Sequence, residues 1–269
     1  MTQLMPLNAN HEVTTAVNKK DLDTQISIAK QYPRDISKAL NLAYDLATKN
    51  EEIAASCFYS LPRGGSNGEK DYIKGPSIRL AEIILYCWGN IRAGARIVKD
   101  DGKFITAQAV VIDLESNVEI VEEVQRKVTN RDGRRYSDDM IMTTSNAAAS
   151  IALRNAIFRV IPAALYEDIY NSAIKTAVGD EKTLVQKRQN ALSYFTKLGV
   201  SQEKLLALLE KKTLTDISLK DLENLNGIAT AIKDKMMTVD EIFNVATESG
   251  SDKIGQIKNK IANKQKEGS

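Results

Sequence analysis

The side chains best suited to do chemistry in this sequence are arginines. Arg154 and Arg159 stand in IMTTSNAAASIALRNAIFRVI, an alanine-rich helical stretch over about 140–160 that is apolar on most faces. A guanidinium carried into such a helix needs a partner, either an internal carboxylate or the phosphate of a ligand. Arginine suits phosphate because its planar fork donates two parallel hydrogen bonds. A third arginine, Arg79, lies in the first turn of YIKGPSIRLAEIILYCWGN (72–90), a helix punctuated at its start by Gly75-Pro76-Ser77, with proline suited to the first turn. The helix dipole is positive at that end, so a cation there gains from an anion placed beside it.

Other cations gather nearby in the sequence. Arg92 and Arg96 share one face of a strand by parity. Lys103, Arg126, Lys127, Arg131, Arg134 and Arg135 fall at strand ends and in the loop that follows, and Arg63, Lys70 and Lys74 precede the helix of Arg79. Aromatic residues interleave with them: Tyr136 follows Arg134-Arg135, Tyr72 sits between Lys70 and Lys74, and Tyr59 and Phe104 are close by. Unpaired bases stack on aromatic rings while cations hold the phosphate backbone, so the combination suits single-stranded nucleic acid. The competing reading is solvated charge and packed rings, and Trp88 reads as core.

Other chemistries are excluded or weak. The single histidine, His11, lies in a polar N-terminal stretch, which excludes a core histidine as general base or metal ligand. Cys57 and Cys87 sit among apolar residues without ligand spacing and read as reduced, buried thiols. Asp113 on one strand and Gln125-x-Lys127 on the next faintly match a metal nuclease, but convergent carboxylates are missing. The glycine-rich RGGSNG (63–68) lacks the Lys-Ser/Thr ending of a nucleotide-binding loop.

The elements that must position these residues follow from periodicity. Residues 22–58 read as helical, and 60–71, SLPRGGSNGEKD, as a loop. Ile78, Ala81, Ile84, Leu85 and Trp88 give the helix of Arg79 one packing stripe, ended by Gly89-Asn90. The period then drops to two. Strands are predicted at 91–97, 104–114 and 118–128, joined by tight turns as an antiparallel meander with the charge-poor second strand central. A charged loop, 129–139, leads to the long helix, and Pro162 separates it from a helix over 163–178. Amphipathic helices are then expected at 183–198, 201–212, 218–235 and 238–247, with Ser218-x-x-Asp221 and Thr238-x-x-Glu241 as caps. The expected organisation is a flexible arm (1–21), a core (22–180), a small helical domain (183–248) and a disordered Lys-rich tail (249–269). The fold class is α+β: a three-stranded antiparallel meander flanked by helices, with a C-terminal helical domain.

With 43% apolar and 27% charged residues the chain can build a core and reads as soluble, and its net charge of +2 does not announce a nucleic-acid binder. No apolar run is long enough to span a bilayer and no signal-peptide pattern opens the sequence, so a cytoplasmic protein is expected.

The order helix, meander, basic loop and Ala/Arg helix resembles the annealing core of phage single-strand annealing recombinases of the RecT and Red-beta type. It is also similar to the annealing domain of the eukaryotic Rad-family annealing protein. The resemblance covers about 34–178 and is carried by YIKGPSIRLAE (72–82), Trp88-Gly89-Asn90 and NAAASIALRNAIFR (146–159). It implies a basic groove between the helices flanking the meander, lined by Arg79, Arg154 and Arg159. It implies homo-oligomeric rings or helical filaments that hold single-stranded DNA and the annealed duplex intermediate, with no bond-making catalysis and no ATP, metal or other cofactor. It further implies that the C-terminal helices dock a host single-strand-binding protein or a partner exonuclease. The alternatives are a metal-dependent DNA nuclease and a non-enzymatic oligomeric assembly protein whose charges are merely solvated.

Overall fold

The computed structural model describes residues 21–63, 71–130 and 132–243. The expected arm and tail, and the candidate residues Lys70 and Arg131, lie outside the described residues.

The stretch expected as one helical region, 22–58, is divided. Helix α1 spans 21–31, α2 Ile36–Ala47 and α3 Glu51–Ser56. Pro33 forbids continuation of α1, and Asp35 and Asn50 start the next two helices by accepting hydrogen bonds from Lys38 N and Ile53 N. The expected loop at 60–71 proves to be the middle of a β-hairpin, with β1 at Phe58–Arg63 paired antiparallel to β2 at Asp71–Pro76. Density in Gly, Ser and Asn marked only the connection. Pro62 is tolerated in β1 because, among the described residues, a two-stranded ribbon leaves each strand one unpaired edge.

Helix α4, Ile78–Trp88, follows directly. Pro76 ends β2 rather than entering the helix, and the cap is Ser77, whose hydroxyl accepts from Arg79 N and Leu80 N. The expected stripe is buried at Ile78, Ala81, Ile84 and Trp88. Gly89 and Asn90 both take positive φ (63° and 48°), which glycine and asparagine tolerate best, and so turn the chain into the sheet.

The meander is β3 Ile91–Asp100, β4 Phe104–Asp113 and β5 Val118–Lys127, in the order β3-β4-β5. One face, bearing Ile105, Ala107, Ala109 and Val111, is buried under α5, Asp138–Val160. Alanines from both sides, Ala107 and Ala109 with Ala148, Ala152 and Ala156, share one core cluster, so helix and sheet approach closely. Helix α6, Ala163–Val178, completes this layer behind Pro162. The protein is therefore α+β, with a three-stranded antiparallel sheet and a separate two-stranded sheet, both flanked by helices.

Helices α7 Leu184–Lys197, α8 Gln202–Leu209 and α9 Leu219–Lys233, with α10 starting at 239, build a second hydrophobic cluster around Phe195, Leu205, Leu225 and Phe243. Ser218 and Asp221 form a reciprocal capping box, and Thr238 and Glu241 repeat it. This cluster is not a free appendage. Gly227 lets α9 lie directly on β1: a Cβ there would stand 2.6 Å from Ser60 N. Thr230 Oγ1 donates to Ala55 O at 2.8 Å, fastening the same helix to the end of α3. No helix among the described residues is long and apolar enough to cross a membrane.

Candidate nucleic-acid interface

Of the predicted cations, Arg154 has the most unusual setting. It is 9% exposed, on a helix otherwise buried through alanine and isoleucine. Its guanidinium lies over the Tyr59 ring, 4.7 Å from the centroid. Nε and Nη2 both donate to Asn155 Oδ1, at 3.2 and 2.8 Å, and Nη1 reaches Met236 Sδ at 3.8 Å. Among the described residues no carboxylate pairs with it directly. Burial lowers its pKa, while Tyr59 and Asp234 raise it by their charge.

Arg154, Asn155 and Arg159 line one open recess of about 320 Å³ with Tyr59, Pro76, Phe158 and Tyr166. Phe158 and Tyr166 pack as a tilted pair, with centroids 4.5 Å apart and planes at 48°. Arg159 is 64% exposed, and its Nη1 contacts Glu122 of β5 at 2.9 Å. Arg79, in the first turn of α4, does not line this recess. It bonds Glu82 at 2.8 Å, one turn along its own helix, and approaches Asp234 at 3.8 Å. Asp234 feels both Arg79 and Arg154, so it links these two arginines, while the recess links Arg154 with Arg159. Asn155, which a charge search passes over, fixes the fork of Arg154. Tyr59 was noted as an aromatic near basic loops, but its partner Arg154 is far away in sequence, and only the fold brings them together.

The remaining cations go elsewhere. Arg92 and Arg96 are on the opposite face of the sheet, since they pair across to Ile112 and Gln108. There they line a separate recess of about 350 Å³ with Gly94, Val110 and Ile112. Arg126 shares the inner face with Ile105 and donates to Met236 O at 2.9 Å. Lys103, Lys127, Arg134 and Arg135 crowd the end of the meander, where Val128 N bonds Lys103 O. Arg135 forms a forked pair with Asp100 that draws its carboxyl down to about 2. Tyr136 faces a larger cavity of about 770 Å³ between the meander and the α9–α10 connection, shared with Arg126, Lys127 and Met140. Lys74 is taken by Glu223 of α9 at 2.7 Å. Tyr72 is no open stacking platform. Its hydroxyl reaches Leu208 O at 3.4 Å, and burial first, then Asp221 and Glu210, push its pKa up to about 12.

Asp113 is held by structure. Arg34 bonds both its oxygens, Nη1 at 2.6 Å; Trp88 Nε1 donates to it at 3.2 Å, and the amides of Glu115 and Ser116 cap it. Arg34 also lies over the Trp88 ring at 4.7 Å. Asp113 pairs with Val118, whereas Gln125 pairs with Thr106 at the other end of the sheet. Seven strand residues separate these sites, roughly 23 Å, so they cannot share a metal. Among the described residues no group of His, Cys, Asp or Glu has metal-binding geometry.

The chain matches no protein-family model, no curated protein and no solved structure.

Proposed function

We propose that the chain binds single-stranded DNA and anneals complementary strands without ATP and without making or breaking covalent bonds, as a recombination protein of the RecT type. The observation that carries this reading is Arg154: a guanidinium 9% exposed, oriented by Asn155 and Tyr59, with no carboxylate paired to it among the described residues, at the edge of a recess it shares with Arg159. A charge desolvated to that degree is stabilised by an anion brought to it. A phosphodiester meets that need, and Phe158 and Tyr166 offer rings to bases beside it. Phosphate contacts carry no sequence code, so pairing specificity comes from the DNA strands themselves. Among the described residues β3 and β5 each have one unpaired edge, through which copies would join into a ring or filament. The C-terminal helices would dock a single-strand-binding protein or an exonuclease, in the bacterial cytoplasm.

The test is binding of a labelled oligothymidylate at low salt, followed by the rate at which complementary oligonucleotides anneal without nucleotide. Binding and a rate increase are expected. No binding at low salt refutes the proposal. Loss of full-length DNA with Mg²⁺, abolished by Asp113→Ala, would favour a nuclease instead. Large oligomers indifferent to DNA would favour an assembly protein.

A further inference from the structure

The connection between α9 and α10, residues Asp234–Thr238, does not line the recess of Arg154 but runs beside the helix arginines, touching Arg154 through Met236 and approaching Arg79 through Asp234. Met236 is buried, with its sulfur against Arg154 and its carbonyl accepting from Arg126. Asp234 is the carboxylate that feels both helix arginines, although Glu82 lies closer to Arg79, at 2.8 Å. Its side chain is 9% exposed, with Oδ1 3.8 Å from Arg79 Nη2.

That carboxylate is badly placed by every local criterion. It is buried, and burial is the largest influence raising its pKa, with Glu82 adding to it. It caps the C-terminus of α9, the negative end of the helix dipole. Its Oδ2 is buried with no hydrogen-bond partner. Only Arg79, Arg154 and Lys233 pull the other way. The 3.8 Å approach to Arg79 is longer than a hydrogen bond, so the field is used and the geometry is not. Conversely, Arg79 sits at the positive end of α4, where an anion is wanted and Asp234 supplies it.

Resting on the single-strand-binding reading above, we infer that Asp234 is an internal stand-in for a DNA phosphate and that Asp234–Thr238 is a strap which a phosphodiester displaces. A phosphodiester carries the same single charge, and its two free oxygens can satisfy both guanidinium forks. The strap can leave without its helix. Helix α9 remains fastened by Gly227 on Ser60 and by Thr230 on Ala55 O. Within the strap Lys235 holds a positive φ of 55°, an unfavourable backbone for a lysine that release would relax. Opening of this kind is local, confined to a turn and the start of α10.

The experiment uses the full chain with a labelled oligothymidylate. Asp234→Asn should tighten binding by about tenfold, at the low end of ordinary coupling between sites. Glu203→Gln makes the same charge change on the exposed start of α8 and gives the baseline for net charge alone. In the wild-type protein, hydrogen exchange of the amides of 235–243 should speed up when the oligonucleotide binds, while α7 and α8 keep their protection. If the wild type binds but Asp234→Asn gains no more than Glu203→Gln, and 235–243 stays protected, the strap is refuted and the DNA reading stands. If neither protein binds at low salt, the DNA reading falls and takes the strap with it. The exchange measurement needs no variant, so a misfolded Asp234→Asn does not blunt the test.

Discussion

Replacing Arg154 by methionine separates the two roles a buried cation can have. Methionine keeps the apolar stem and removes the charge. Three terms decide the effect on stability. Stacking on Tyr59 is lost, about 2 kcal/mol for a desolvated cation over a ring. The shared bond to Asn155 Oδ1 is lost, about 1.5–3 kcal/mol for a charge-assisted contact. Against these, the desolvation of a guanidinium with no paired carboxylate is relieved, which is worth several kcal/mol. Asp234 loses one of the charges that hold its pKa down, so burial raises that pKa further. The sum is close to zero, and the urea midpoint should stay put or rise. DNA binding has no such compensation. Losing one forked phosphate contact of about 1.5–3 kcal/mol corresponds to roughly tenfold to hundredfold weaker binding. The slope of log affinity against log salt should fall by about 0.7, one phosphate on a single strand. The assay is oligothymidylate titration at several KCl concentrations beside urea unfolding of the same samples. A folded variant with wild-type affinity and slope would refute the groove. A large loss of stability with unchanged affinity would make Arg154 a core residue only.

Arg34→Ala should cost about 3–5 kcal/mol in urea unfolding, because it leaves Asp113 buried with Trp88 and two amides but no cation; annealing per folded molecule should be retained. Gly227→Ala drives a Cβ into Ser60 N and Tyr59 C, so about 1–3 kcal/mol should be lost and hydrogen exchange in α9 should rise. Tyr72 and Tyr170 are both pushed from 10 up to about 12, chiefly by burial. A raised folded pKa means the unfolded chain ionises first, so stability should hold below pH 10 and fall between 10 and 12. Tyr72→Phe should flatten that fall in a pH series of thermal melts, and an unchanged pH dependence would disprove the burial assignment.

Local rules made much of this chain legible from its sequence. Period-two alternation fixed three strands and their faces, and the lack of charge in 104–114 made that strand central, as it is. The end of α6 at Gly179 and the caps of α9 and α10 were readable because capping depends on a few adjacent residues. The hairpin of β1 and β2 was not readable. Its strands owe their state to each other and to α9 lying on β1, the latter a contact between residues more than a hundred apart in sequence.

The site divides the same way. Sequence by itself determined that Arg79, Arg154 and Arg159 ride on helices flanking a sheet, because residue type and period are local properties. It could not rank the basic and aromatic candidates, since a charge is marked by its identity and not by its partner. Tertiary structure decided that Lys74 is taken by Glu223, Arg135 by Asp100 and Arg126 by the Met236 carbonyl, and that Arg92 and Arg96 lie on the other face of the sheet. Among the described residues it left Arg154 without a paired carboxylate and brought it within the field of Asp234, eighty residues further along the chain. Burial and electrostatic pairing depend on distances through space, and those distances exist only once the chain has folded.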